Sequence, residues 1–161
     1  MHDSILLNDQ KFSIVGVNGR ELFNPVDFGL RPFSTVTSCW RGYMCEYKTD
    51  FDQLLLNTLQ VNHEQQGPAI HGVAPSFGKG MFNNVYNHLS LPIDFSGEIL
   101  AGEKFIRELY VHMGFQPTWK YETVYELVVS HGVILETKDV SKQMAELRQQ
   151  MTRRPPHSLE M

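Results

Sequence analysis

From Trp119 to Val129 the chain alternates: Trp119, Tyr121, Thr123, Tyr125, Leu127 and Val129 share one parity, and the other carries Lys120, Glu122 and Glu126. A period of two predicts a strand with one packed face and one wet face. Ser130-His131-Gly132 then offers a turn, and Val133 to Lys138 reads as the partner strand of a hairpin. A second hairpin is predicted upstream, with a strand from Thr35 to Lys48, a turn at Thr49-Asp50-Phe51-Asp52 and a return from Gln53 to Val61. Gly42 inside its first strand marks a bulge or a close backbone approach, because glycine has no side chain to pack there. After Lys138 the period changes. Val140, Met144, Leu147 and Met151 fall at helical spacing, with Asp139 or Ser141 available as N-cap and Arg148 near the negative end of the dipole. Beyond that helix, Thr152 to Met161 contains Pro155-Pro156 and reads as a frayed tail.

Two segments have no single period. In Gly97 to Phe115, Phe105, Ile106, Leu109 and Met113 suit a helix face, whereas Leu109, Val111 and Met113 alternate as a strand would. Strands are the better reading, since Gly97, Gly102 and Gly114 weaken a helix. Gln65 to Asn84 is rich in Gly, Pro and Asn and predicts a long loop, which in a compact domain is usually functional or mobile.

The two hairpins echo each other. Trp40 to Val61 and Trp119 to Val140 are equally long, begin with Trp and a cation, and end on Val. Pro25-Val26-Asp27-Phe28 and Pro92-Ile93-Asp94-Phe95 form a second match, although the offset between halves changes from 67 to 79 residues. The fold expected is α+β and mainly antiparallel: two β-meander halves, a possible internal duplication, around one core closed by a C-terminal helix. Residues 1–152 would form a single domain and 153–161 a flexible tail.

Composition narrows the partners. At 161 residues, 42% hydrophobic and 11% aromatic, the chain can bury a core. Its net charge of -4, from 18 acids and 14 bases, argues against a nucleic-acid surface, and only Arg148, Arg153 and Arg154 form a locally basic stretch. The N-terminal stretch carries Asp3 where a secretion signal wants cations, and no run approaches the roughly 20 apolar residues of a membrane span. Cys39 and Cys45, six residues apart on a predicted strand, would be separated by roughly 20 Å if fully extended, too far to bridge. A soluble protein of the reducing cytoplasm is expected.

Trp40-Arg41-Gly42-Tyr43 is the most distinctive string, and it reads in two ways. Arg41 and Tyr43 on one strand face would aim a guanidinium and a phenol at a ligand. Alternatively, Trp40 anchors the core, Arg41 pairs with a carboxylate and Gly42 bends the strand, which is the commoner use of such residues. Were a ligand pocket present between the halves, Arg41, Tyr43, His112, Trp119 and Tyr121 would line it, with Arg41 as charged anchor. Among seven histidines, His71, His88 and His112 lie in the irregular middle, but no His-x-x-x-His pair supports a metal, and no cofactor is expected. Gly72 to Gly80 has the wrong spacing for a phosphate loop, leaving a surface loop or a lid carrying Phe77, Lys79 and Phe82. The acid–base candidates are Asp94, Glu98, Glu103, Glu122, Glu126 and His112. Glu122 and Glu126 would stand roughly 13 Å apart along a strand, too far to act on one bond. There is no Gly-x-Ser-x-Gly elbow and no cysteine signature, so no catalytic residue is assigned.

The strings Cys39-Trp40-Arg41-Gly42-Tyr43 with Tyr47, and Tyr110-Val111-His112-Met113-Gly114-Phe115 followed by Tyr121-Glu122, Val124 and Glu126-Leu127, resemble small uncharacterised bacterial β-rich proteins of one domain. The resemblance runs from about Leu30 to Met144. It implies a stand-alone bacterial domain and transfers neither an activity nor a catalytic residue. The leading expectation is a soluble bacterial binding protein, an immunity or inhibitor-type module engaging a protein partner. The alternative is a small-ligand binder or enzyme with its pocket between the two halves. Neither nucleic acid nor membrane is an expected partner.

Overall fold

A computed structural model describes residues 2–35, 39–78, 80–110 and 117–152. Ten strands precede one helix: β1 (Ser4–Leu7), β2 (Gln10–Gly19), β3 (Tyr43–Asp50), β4 (Gln53–Val61), β5 (Ser76–Phe77), β6 (Asn84–Tyr86), β7 (Leu91–Pro92), β8 (Gly97–Phe105), β9 (Tyr121–Ser130), β10 (Val133–Asp139) and α1 (Ser141–Thr152). Seven of the strands close into a barrel in the order β10-β9-β8-β2-β1-β3-β4, with β4 returning to β10. The β1–β3 pair is parallel and makes the barrel mixed. Closure is brief. Val133 pairs with Gln53, Leu54 donates to the carbonyl of Gly132 at 2.8 Å, and Ile134 donates to that of Asp52 at 2.7 Å. The same edge of β4 then pairs with β7 at Leu55 and Leu56 and with β6 from Leu59 to Val61, and β5 extends the sheet beyond β6.

Alternation fills the barrel. Ile5, Phe12, Ile14, Cys45, Tyr47, Leu54, Leu56, Leu59, Val61, Ile99, Ala101, Leu127, Val129 and Ile134 share one buried cluster, so the interior is a packed core and not an open cup. On β4 the inward parity shifts between Leu56 and Leu59, because Asn57 is the extra residue of a bulge opposite Glu46 and Tyr47. A second bulge, between Ile14 and Gly16 of β2, sends Ile14 inward and Val15 outward. Outside the barrel Val15, Tyr121 and Val124 form a smaller cluster, roofed by Val140 and Met144 of the α1 region.

Both predicted hairpins form. Each turns through two residues of positive φ, Phe51 (48°) and Asp52 (64°) in one and His131 (45°) and Gly132 (80°) in the other, as the twist of tight hairpins requires. The helix also forms, with the Asp139 carboxylate accepting the N–H of Ser141 at 2.9 Å; the Ser141 hydroxyl first and this N–H second lower the carboxyl's pKa. Arg148 does more than complement the dipole. Its Nε and Nη2 donate to the carbonyls of Trp119 (2.8 Å) and Tyr121 (2.7 Å).

The predicted strand from Thr35 to Lys48 is corrected: it starts only at Tyr43. Gly42 has φ 81° and donates to the carbonyl of Cys39 at 3.1 Å, so residues 39–42 are a turn that brings Trp40 and Arg41 out of the sheet. The close approach expected at Gly42 is real, because a Cβ there would strike the backbone of Phe33. Of the ambiguous Gly97 to Phe115, β8 takes the first nine residues and a one-turn 3₁₀ helix spans Arg107–Leu109. Val111 to Gln116 lie outside the described residues, as does the predicted tail 153–161. The long loop is shorter than expected, containing β5 and an Ile70–Val73 bridge.

The fold does not show an internal duplication. β3 lies beside β1 in parallel while β9 lies antiparallel to β8. Pro25–Phe28 is a 3₁₀ turn, whereas the matching Pro92 ends a strand. Among the described residues no helix is long and apolar enough to cross a membrane.

Candidate functional site

Arg41 and Tyr43 stand together, and the arrangement binds protein to protein. The Arg41 guanidinium pairs with Asp3, its Nε donates to the Tyr43 carbonyl at 2.8 Å, and it lies 4.1 Å from the Tyr43 ring centre. Asp3 also accepts the N–H of Cys45 at 2.9 Å. Burial opposes the charged guanidinium, but the charge and hydrogen bond of Asp3 outweigh it and raise the pKa of Arg41. Burial likewise raises Tyr43, and pushes the Cys45 thiol and the fully buried Tyr47 phenol far up. Both cysteines are free and buried. A thiol kept neutral in this way is a poor nucleophile.

Trp119 and Tyr121 belong to a different region, beneath α1, where Tyr121 joins the outer cluster and Trp119 is held through its carbonyl by Arg148. Tyr121 packs edge-on to Phe105 with ring centres 5.2 Å apart, and the Lys120 ammonium lies 5.4 Å from the Trp119 ring. The structure does not bring this pair into contact with Arg41 and Tyr43, and neither pair lines the best-formed clefts among the described residues. His112 lies outside the described residues. The acid–base candidates are dispersed: Glu98 accepts from Asn18 at 3.1 Å, Glu103 from Gln10 at 2.5 Å, Glu126 lies 3.8 Å from Lys138, and Asp94 lies 3.2 Å from His131. Among the described residues no three His, Cys, Asp or Glu converge as metal ligands.

Tertiary structure builds two sites that the sequence did not single out. The first is a corner of asparagines where β4 ends. Asn62 accepts from Asn83 N–H at 3.0 Å through its side chain and donates its own N–H to the Gly42 carbonyl at 2.9 Å, and its carbonyl accepts from Phe33 at 3.1 Å. Asn83 answers with its amide on the backbone of His63, at 3.0 and 2.7 Å. Buried Asn84 ties down Gln65 and Gly67, at 3.1 and 2.9 Å. Three loops are thus fixed to the barrel end without a regular strand, which short amide side chains achieve by offering donor and acceptor together.

Around this corner four large apolar side chains face water: Phe33, Trp40 (80% exposed), Phe77 (83%) and Met81. A cleft of 360 Å³ lies beside them, lined by Glu64, Gln65, Gln66, Pro75, Ser76, Phe77, Asn83 and Asn84. The Asn83-Asn84 dipeptide at the end of the long loop was the available signal.

The second site is a cleft of 620 Å³ where the two Pro-x-Asp-Phe strings meet. Asn24, Asp27 and Phe28 line one side, Leu91 to Asp94 the other, and Arg20 to Phe23 its end. Phe28 stacks on Phe23 with ring centres 5.2 Å apart. The strings therefore share a location, which their reading as repeats concealed. No family model matches this chain, and neither a curated protein nor a solved structure matches it.

Proposed function

We propose that this protein is a binding module that engages another protein through the asparagine corner, in the manner of an immunity or inhibitor domain of the cytoplasm. The observation that carries the reading is the exposure of Phe33, Trp40, Phe77 and Met81 around one rigid network. Phe33 donates to that network, Trp40 and Met81 lie two residues from its members Gly42 and Asn83, and Phe77 pairs with Asn84 across the sheet edge. Aromatic residues and methionine on a preorganised support are what interface centres favour, since little conformational freedom is lost on docking. Two free, buried cysteines are compatible with a reducing compartment.

A photo-crosslinking residue placed at Trp40 or Phe77 is expected to yield the same discrete protein adduct in the native host. The same residue at Leu135, exposed on the charged strand β10, serves as control. Adducts no more frequent at Trp40 and Phe77 than at Leu135 would sink the reading. A second reading, a small-ligand binder, is favoured by the 620 Å³ cleft, which Arg41, Tyr43, Trp119 and Tyr121, the residues expected at such a pocket, do not line. Chemical-shift changes confined to Asp27, Phe28 and Asp94 on addition of metabolite mixtures would select it.

A further inference from the structure

Backbone geometry at β5 specifies more than an apolar patch. β5 is the terminal strand of the sheet and pairs with β6 alone, in the register Ser76↔Val85 and Phe77↔Asn84. Gly78 donates to the Asn83 carbonyl at 3.1 Å. Hydrogen-bonded and non-bonded residues alternate in an antiparallel pair, so Gly78 and Ser76 turn their peptide groups toward β6, and Phe77 turns its N–H and C=O away from it. Among the described residues these two groups of Phe77 have no partner. In a non-bonded pair the side chains stand on one face and close together, and accordingly both Phe77 and Asn84 line the 360 Å³ cleft.

The lining explains what would fit. Asn83 and Asn84 spend their amides on the support, which leaves Gln65, Gln66 and Ser76 as neutral hydrogen-bonding groups of the cleft and Glu64 as the one ionisable side chain among the eight lining residues. The chain as a whole is acidic, at -4. Another open stretch of edge, β10 beyond its closure at Val133, is guarded differently. It carries Glu136, Lys138 and Asp139, with Lys138 3.7 Å from Glu136. Charges along an edge discourage strand addition. β5 has none, and instead offers an exposed aromatic ring.

We propose that β5 and its cleft take an extended peptide segment of the partner, added as a strand at Phe77, with a basic side chain of that segment opposite Glu64. The inference rests on the protein-binding reading above and names the chemistry of the partner. Main-chain pairing at the edge supplies affinity, and the cleft reads alternate side chains, since successive residues of a strand point to opposite faces. A ring at Phe77 covers the added strand, and the Glu64 carboxylate selects the charge.

The test uses a phage-displayed random peptide library selected on the purified full chain, followed by fluorescence polarisation with the enriched peptides. Expected are sequences sharing a Lys or Arg and binding about tenfold weaker to Phe77→Pro, which removes the outward N–H, and about tenfold weaker to Glu64→Lys. N-methylation along the peptide should weaken binding at the one residue that pairs with Phe77 and be tolerated at its neighbours. That scan decides the matter alone should Phe77→Pro fail to fold. Selection of no peptide, equal binding to folded Phe77→Pro, or tolerance of methylation throughout would overturn the proposal. So would a wild-type dimer in sedimentation that Phe77→Pro abolishes, since the edge would then belong to a second copy. Crosslinks at Trp40 and Phe77 without any selected peptide would overturn this inference and leave the broader reading standing, whereas loss of the crosslinks removes both.

Discussion

The hairpins β3–β4 and β9–β10 begin with the same sequence signature, and an arginine secures the start of each, yet they meet different surroundings. At the first, Arg41 is local to the hairpin. It grips the Tyr43 carbonyl and Asp3, so the N-terminal strand is fastened to the barrel. At the second, Arg148 arrives from α1 and holds the carbonyls of Trp119 and Tyr121. Trp40 is left 80% exposed, while Trp119 is half-buried beside the helix. The same local need, an anchored first strand, is met by different long-range partners. What covers the neighbouring tryptophan follows from the partner and not from the hairpin.

The largest effects should come from the glycines that shape the hairpins. Gly42 and Gly132 both have positive φ, and at each an added Cβ would run into a backbone carbonyl, of Phe33 and of Ile93. Gly42→Ala and Gly132→Ala are each expected to lower the urea-unfolding free energy by about 3 kcal/mol, combining left-handed strain with the backbone shift. Gly72→Ala, also at positive φ but in open space, should cost about 1 kcal/mol. Equal losses at all three would mean that the carbonyl contacts contribute nothing.

The arginines come next. Arg41→Ala should cost about 3 kcal/mol, because it strands the Asp3 carboxylate against the barrel as well as losing a backbone bond. Arg148→Ala removes two charge-assisted bonds to carbonyls and should cost about 2 kcal/mol. The double variant Asp3→Asn with Arg41→Ala tests the distinction, since removing both charges should recover part of the loss. A recovery of nothing would show that the Asp3 charge is not what Arg41 satisfies.

The tryptophans give the smallest effect and the sharpest contrast. Trp119→Ala should cost about 2 kcal/mol, and Trp40→Ala less than about 0.5 kcal/mol. Iodide should quench the fluorescence of Trp40 and spare Trp119, measured in the two single-tryptophan proteins with Phe as replacement. Comparable costs would erase the difference between the hairpins. A substantial cost at Trp40 would also make it a core residue and weaken its part in a docking surface.

Local pattern carried much of this architecture. Two-residue turns and the spacing of Val140, Met144, Leu147 and Met151 are properties of a few neighbouring residues, and the corresponding hairpins and helix formed; the alternation read from Trp119 holds only from Tyr125 to Val129, because Thr118–Lys120 is a 3₁₀ turn in which Lys120, expected on the wet face, is buried. The strand expected from Thr35 failed at Gly42, because an apolar run cannot report that a distant backbone, that of Phe33, occupies the space a strand residue would need. The candidate site was less legible. Arg41 and Tyr43 touch, but Arg41 stands in the turn before β3 and pairs with Asp3 instead of sharing a strand face, Trp119 and Tyr121 belong beneath α1, and the sites the fold assembles depend on Asn62, Asn83, Asn84 and the two Pro-x-Asp-Phe strings. Amide networks have no period, and a matched pair of short strings gives no hint of whether its members repeat or meet.

The sequence by itself determined the two hairpins with their tight turns, the C-terminal helix and a net acidic charge, because each depends on short-range sterics, periodicity or simple sums of charge, whereas β1, β2, β5, β6 and β7 carried no pattern that announced them. Tertiary structure alone decided that seven strands close on themselves through the short β4–β10 contact, that β1 and β3 run parallel, that Trp40 faces water while Trp119 is half-covered, and that β5 keeps an open edge. Those outcomes depend on which distant strands pair, and pairing is fixed by the packing of the whole core.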